Sequence, residues 1–336
     1  MVWLNLTGGS STSNIRFDVD NKMIILDNDY AKKLEDKTYI ALGSFDGLHK
    51  GHMALINRVV DEALLNECKS LVYTFTNHPL SVAQPEKAPK LLMDNEQKLH
   101  ILRSAGIDIV AMVDFTFEFM QTSAEDFIRH LLEKYNAKGL VIGFNYKYGY
   151  KNQGNAHTLK DLAKKIGFEL VVLDPEADEE GIYSSTRIRS LLEEGKVSEA
   201  NSLLIEPFML RGIVVTGQSK GKGLGYPTAN IAHDELMLIP KFGVYYTNVE
   251  VDGLIYRGIT SIGTNPTISE NNPTTVETYI LDFDREIYGT EIKVYFLEWM
   301  REMIKYATMD ELKEQLRRDN NYAALRKKAT LRTQEK

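Results

Sequence analysis

The sequence predicts two domains: an N-terminal open α/β sheet of Rossmann-like layout, then a C-terminal antiparallel β sandwich or barrel that ends in a helix. Length is the first reason. At 336 residues, 43% hydrophobic and 26% charged, the chain is long enough for two cores, since domains run to roughly 100 to 200 residues. The second is that apolar β-rich runs alternate with amphipathic helical stretches between residues 37 and 174, the pattern of a parallel sheet covered by helices. The third is a change at Glu206-Pro207, after which β-branched and aromatic runs follow one another without helical crossovers.

In chain order, the strands expected in the first half are residues 38–42, 70–75, 107–113, 139–142 and 169–173. Residues 51–67 place Ala54, Leu55, Val59, Ala63 and Leu64 at helical spacing, and 123–135 opens on Ser123, a suitable N-cap. Helices over 186–194 and 198–204 come next, followed by strands over 208–216, 243–251, 254–262, 275–281 and 291–300. Thr308-Met309-Asp310-Glu311 has capping-box spacing, and Leu312, Leu316, Ala323 and Leu325 continue a helical pattern behind it. There is no internal repeat. The division expected is an extension over 1–22 whose role the sequence leaves open, a domain over 23–205 and a domain over 206–336.

A formal net charge of −7 argues against a general nucleic-acid or anionic-membrane binder, so any anion site must be local. A lone cysteine, Cys68, excludes an intramolecular disulfide and is read as a small buried hydrophobe on an apolar helix. The N-terminus carries neither a basic leader region nor a long apolar run, which makes the cytoplasm the simplest address; a monomer or weak homo-oligomer is expected.

Two segments carry chemistry. In open α/β sheets, ligands bind beyond the carboxyl ends of strands, where helix N-termini present N–H groups to phosphates. Gly43-Ser44-Phe45-Asp46-Gly47-Leu48-His49-Lys50-Gly51-His52 occupies such a place. Gly43, Gly47 and Gly51 allow close backbone approach, and His49 and His52 can converge on one anion and donate to charge that grows as pyrophosphate leaves. Either histidine alone would be read as structural. The second segment surrounds Lys220 and Lys222 with Gly217, Gly221, Gly223 and Gly225, a loop able to wrap a nucleotide phosphate. Its spacing is neither a Walker A loop nor a Rossmann fingerprint, and a mobile basic hairpin is the ordinary reading. Pro227-Thr228-Ala229-Asn230 strengthens it, because a hydroxyl and an amide oxygen two apart on a strand share a face and can hold Mg²⁺ beside phosphates.

The first segment resembles the His-x-Gly-His signature of nucleotidylyltransferases. Its longer form resembles the adenylyltransferase half of bacterial bifunctional riboflavin kinase/FAD synthetases. Thr74-Phe75-Thr76-Asn77-His78-Pro79, Gly143-Phe144-Asn145-Tyr146-Lys147-Tyr148-Gly149 and Ser184-Ser185-Thr186-Arg187-Ile188-Arg189 match further motifs of that family in order. Ser44, Asn77 and Asn155 stand where Asn, Pro and Asp are frequent. The second segment resembles the riboflavin kinase module, and the likeness continues through Gly243-Val244-Tyr245, residues 262–267, Val276-Glu277-Thr278, Leu281-Asp282-Phe283, Tyr288-Gly289 and Arg301-Glu302.

The resemblance implies a Rossmann-like domain followed by a β-barrel, and the conversion of riboflavin and ATP to FMN, then of FMN and ATP to FAD and pyrophosphate. It implies catalytic roles for His49, His52, Asn145, Arg187 and Glu277, the last as the base for the ribityl hydroxyl. It assigns Gly43, Phe45, Asp46, Gly47, Gly51, Ser185, Thr186 and Arg189 to one ATP. The loop 217–225 with Thr228 and Asn230 takes the other, and Thr228 and Asn230 also hold Mg²⁺. His78, Pro79, Phe144, Tyr146 and Arg301 fall to flavin. Ser185 and Thr186 are expected to cap a helix, and the ordinary alternative for Arg301 is a surface pair with Glu302 or Glu298. The alternatives in function are a chain that retains one of the two activities, or a non-catalytic flavin-binding regulator.

Overall fold

The computed structural model describes residues 15–17, 23–28, 32–216, 225–264 and 274–328. By contact density the chain forms two compact units, Met1–Tyr183 and Ser184–Lys336.

The first unit is built on a seven-stranded sheet. Its strands are β1 (Ile15–Phe17), β2 (Ile24–Leu26), β3 (Thr38–Leu42), β4 (Lys69–Phe75), β5 (Ile109–Val113) and β6 (Ala137–Gly143), with a last strand at Glu169–Leu173. Two small pairs of strands complete the unit: β7 (Lys147–Tyr148) with β8 (Gly154–Asn155), and β10 (Ala177–Asp178) with β11 (Gly181–Ile182); Glu169–Leu173 is therefore β9. The sheet order is β1-β2-β5-β4-β3-β6-β9, parallel except for β1, which runs antiparallel to β2 at the edge. A strand at residues 15–17 thus lies within the stretch that sequence left without structure.

The crossovers are helical. α1 (Lys50–Leu65) follows β3; α2 (Leu80–Ala83) and α3 (Asn95–Ser104) follow β4; α4 (Phe117–Met120) and α5 (Ala124–Lys134) follow β5; α6 (Ala156–Ile166) precedes β9. Ser123 caps α5 by accepting from Asp126 N–H, as its sequence position predicts. The helix buries Phe127, Ile128 and Leu131, each worth roughly 1.5–3 kcal/mol when fully removed from water. α1 ends at Leu65, so Cys68 lies in the turn beyond it, partly exposed, with Sγ 3.2 Å from the Asn66 carbonyl. That corrects the expectation of a buried helical cysteine.

The second unit opens with α7 (Ser185–Glu193) and α8 (Val197–Leu203). A closed barrel follows, in the order β12 (Met209–Val215), β13 (Thr228–His233), β16 (Thr274–Ile280), β15 (Leu254–Thr264), β14 (Gly243–Val251) and β17 (Glu291–Arg301), with β17 returning to β12. Every pairing is antiparallel, and closure removes the exposed edges an open sheet would have. Strand alternation decides which residues face inward: Val276, Thr278 and Ile280 are buried, while Glu277 and Tyr279 between them are not. The chain ends in α9 (Met309–Ala324), whose capping box pairs Thr308 with Glu311 as the sequence predicts.

Candidate active sites

In the first unit the strand order reverses direction beside β3, with β4 and β5 on one side and β6 and β9 on the other. Such a switch point leaves a crevice at the carboxyl ends of the strands. A cavity of about 790 Å³ lies there, lined among others by Gly43, Phe45, His52, Pro79, Asn145 and Tyr146. Its aromatic wall includes edge-to-face contacts of Phe75 with Phe115 and Phe119, backed by the buried Tyr73 against Phe75 and Phe127. An apolar wall beside a polar loop suits a ligand with a flat ring and a charged tail.

His49 is the N-cap of α1: its Nδ1 accepts from the His52 backbone N–H at 3.3 Å. The bond makes Nδ1 the acceptor and leaves the proton of the neutral ring on Nε2. The two rings stack with centroids 3.7 Å apart and planes at 18°. A Cβ at position 51 would lie 3.3 Å from the His49 ring, so Gly51 gives the ring its room. Burial pushes the His49 imidazole down to about 4, and burial together with the His49 ring and the Lys98 ammonium holds His52 well below the usual histidine range. Both rings are therefore neutral near pH 7; His52 lines the cavity and His49 lies behind it. His52 keeps some exposed surface, but its Nδ1 is buried without a hydrogen-bond partner.

The loop before them is held from behind. Gly47 has φ +67°, and a Cβ there would lie 2.6 Å from Leu92 Cδ1, so only glycine fits. The buried Asp46 accepts from Leu92 N–H at 2.9 Å, which makes its carboxylate part of the loop's support. Phe45 is fully buried with φ +48°. Lys98 on α3, which sequence reasoning passed over, is 5% exposed and donates from Nζ to the carbonyls of Ser44 (3.1 Å) and Phe75 (3.2 Å).

His78 Nδ1 accepts from Leu80 N–H at 3.2 Å, and Phe144 is exposed. The three departures from the commonest motif have local partners. Ser44 O accepts from Thr74 Oγ1, Asn77 exchanges bonds with the Phe115 backbone, and Asn155 caps α6 in a capping box with Thr158. Ser185, Thr186, Arg187 and Arg189 lie on α7, in the second unit. Its cap is Ser184, which accepts from Arg187 N–H at 3.2 Å; Ser185 is the first helical residue, a correction of one position.

The second unit has its own cavity, about 490 Å³, on the outer wall of the barrel and lined by Thr228, Ser261, Glu277, Tyr279, Arg301 and Tyr306 among others. Thr228 and Asn230 share one face of β13, with Ala229 buried between them. Asn230 pairs in register with Glu277 of β16, and Thr228 Oγ1 donates to Glu277 Oε2 at 3.3 Å. A hydroxyl and a carboxylate from two adjacent strands thus meet, with Asn230 on the same face of β13 as the hydroxyl. Arg301, at the end of β17, is neither a surface residue nor paired with the Glu302 or Glu298 carboxylate. Its Nη2 lies 2.5 Å from Oδ2 of the buried Asp319 on α9, and Nη1 donates to the Glu302 carbonyl. Glu298 instead bonds Tyr322 and Arg326. Gly225 has φ +82°, while Gly217, Lys220, Gly221, Lys222 and Gly223 lie outside the described residues.

An α/β cavity with a paired-histidine loop, joined in one chain to a barrel with a Thr-x-Asn strand facing a glutamate, is the layout of a two-domain phosphate-group transferase. The family model for FAD synthetase matches residues 31–187, and that for riboflavin kinase matches 204–326. The chain is 37% identical over 283 residues to a bifunctional riboflavin kinase/FMN adenylyltransferase of Listeria monocytogenes, covering 83% of this chain and 89% of that one. It is 34% identical to the protein of the same description from Bacillus subtilis, with 87% and 93% covered. A solved structure described as a macrolide-efflux protein from Streptococcus pneumoniae is similar at 31% identity and TM-score 0.83, covering 91% of this chain and 100% of that one. Among the described residues of this chain no helix is long and apolar enough to cross a membrane.

The chain belongs to the bifunctional riboflavin kinase/FMN adenylyltransferase family. It is an enzyme of FAD biosynthesis that phosphorylates riboflavin to FMN and adenylylates FMN to FAD, with ATP as co-substrate of both steps.

Proposed function

We propose that the two steps run at two separate sites of this chain, kinase chemistry on the outer wall of the barrel and adenylyl transfer at the carboxyl ends of β3 and β6. The observation that carries the kinase assignment is Thr228 bonded to Glu277 on one wall of a cavity, with Asn230 opposite Glu277 in register. Glu277 takes the proton of the ribityl 5′-hydroxyl as its oxygen bonds to the γ-phosphorus, and the bond to ADP breaks. Arg301, held by Asp319, orients the flavin or the transferred phosphate.

Mg²⁺ fits the donor set: Thr228 and Asn230 offer neutral oxygens, the ligands a hard cation takes. No cluster of three or more His, Cys, Asp or Glu among the described residues competes for it. Bound there with phosphate oxygens and water, it would offset the charge of the triphosphate. The loop 217–225 covers that ATP on the strength of the family motif.

At the first site, an FMN phosphate oxygen bonds to the α-phosphorus of ATP as pyrophosphate leaves. The neutral His49 and His52 donate to the phosphates, the backbone at Gly43 and Gly51 allows their approach, and Asn145 positions the reactants at the cavity wall. Phe45, Asp46 and Gly47 act by shaping the loop. Pro79, Phe144, Tyr146 and His78 serve the flavin side; Tyr146, stacked on Tyr148 in the cavity lining, supports this best. For Ser185, Thr186, Arg187 and Arg189 the support is the motif. The boundary between catalytic domains is proposed at 205/206, after an N-terminal extension over 1–22. A monomer or weak homo-oligomer in the cytoplasm, free of nucleic acid and membrane, fits a net charge of −7 and reactions that draw on ATP.

Product analysis of variants tests the assignment. His49→Ala with His52→Ala abolishes FAD formation and leaves FMN formation; loss of both activities in a folded variant contradicts the two-site arrangement.

A further inference from the structure

Lys98 is the least expected residue of the first unit. Lysine is almost never fully buried without a partner, yet this one is 5% exposed and ends among backbone oxygens. Its ammonium donates to Ser44 O and Phe75 O, and the Ser44 carbonyl also receives Thr74 Oγ1 at 3.0 Å. Ser44 belongs to the loop that delivers His49 and His52, and Phe75 ends the neighbouring strand β4. The ammonium therefore ties the loop to the strand beside it.

We propose that Lys98 is a positioning residue for adenylyl transfer: its buried ammonium clamps the Ser44 and Phe75 carbonyls and sets a fixed positive charge behind the His49/His52 loop. This rests on the assignment of adenylyl transfer to that loop. An apolar residue of similar length would fill the space but supply neither bond nor charge. The charge reaches two titratable groups. Asp46 favours the protonated lysine, although burial still lowers it to about 8, and Lys98 in turn helps to keep His52 neutral. Its own helix and cap contribute Asp94, Glu96, His100 and Arg103, and the facing loop contributes His49 and Lys50.

The test compares the full chain with Lys98→Met and Lys98→Arg, measuring FMN and FAD formation in each preparation across pH 5.5 to 9.5. Lys98→Met is expected to form FMN at the parental rate and to lose at least ten-fold in kcat for FAD formation, with KM for ATP changed less than three-fold. Lys98→Arg, which keeps charge and donors, recovers most of the loss. The pH profile separates positioning by charge from packing. The parental rate of FAD formation falls above about pH 8 as Lys98 deprotonates, and Lys98→Met lacks that fall. FAD formation at the parental rate in Lys98→Met, or a reduced rate on an unmoved profile, overturns the proposal. Should methionine unsettle the fold, Lys98→Gln keeps an amide donor without charge, and the same loss of the alkaline fall is required of it. The double histidine variant separates this from the parent assignment: if it still makes FAD the site assignment is wrong, whereas failure of the lysine variants alone removes only the clamp.

Discussion

The buried His49 makes the stability of the first unit depend on pH in a way that can be calculated. An unfolded histidine titrates near 6.5, whereas burial holds this one near 4. Between those values the unfolded chain binds the proton and the folded chain does not, so stability falls as pH falls. The contribution is complete above 6.5 and is lost progressively down to about 4. At pH 5 the loss relative to pH 7 is about 2 kcal/mol, approaching about 3 kcal/mol at pH 4. No discount for solvent is needed, because His49 is 5% exposed. His49→Asn retains a good N-cap for α1 without a titrating group. Urea unfolding read by hydrogen exchange on α1 peptides at pH 7 and pH 5 isolates the effect, since His52 and the carboxylates remain in both proteins. The parental chain is expected to lose about 2 kcal/mol more than His49→Asn on going to pH 5. Equal losses within about 0.5 kcal/mol refute the reasoning.

Three further perturbations address other parts of the account. Glu277→Gln is expected to reduce FMN formation by about 10² to 10⁴-fold, the usual worth of a general base, while FAD formation from supplied FMN is retained; parental FMN formation means that Glu277 is not the base. Asp319→Ala strands the Arg301 guanidinium and is expected to cost the second unit about 3 to 5 kcal/mol and to raise KM for riboflavin, with a loss under about 1 kcal/mol in a denaturant titration contradicting the pair's importance. Gly47→Ala forces a left-handed backbone and meets Leu92, a strain on the order of 2–3 kcal/mol; FAD formation falls at least ten-fold while FMN formation stays, as separate rate assays of the two products will tell.

Most of the architecture was written in periodicity. The barrel strands after residue 207 are long and β-branched, so observed and expected bounds differ by a residue or two. α3 escaped because two of the residues it buries, Gln97 and Lys98, are polar, so no apolar stripe marks it. α6 is amphipathic but capped by Asn155 with Thr158, a box without the usual acidic partner. β1 and β2 have three residues each, too few to show a period.

At the sites, His49 with His52 and Thr228 with Asn230 were legible because their spacing is local, and Glu277 through the likeness of its motif to the riboflavin kinase family. Their supports were not. Lys98 bonds Ser44 from 54 positions away and Arg301 finds Asp319 18 positions on, and only the fold brings such partners together. The neutrality of the histidines is likewise a property of burial, which no motif encodes.

Mixing variants tests the central claim, that one chain holds two separate catalytic sites. His49→Ala/His52→Ala supplies FMN but no FAD, and Glu277→Gln supplies little of either from riboflavin. Combined with riboflavin, ATP and Mg²⁺, the two preparations are predicted to form FAD after a lag during which FMN accumulates, as followed by chromatography. A mixture that makes FMN but no FAD, while Glu277→Gln alone still converts supplied FMN, contradicts the account.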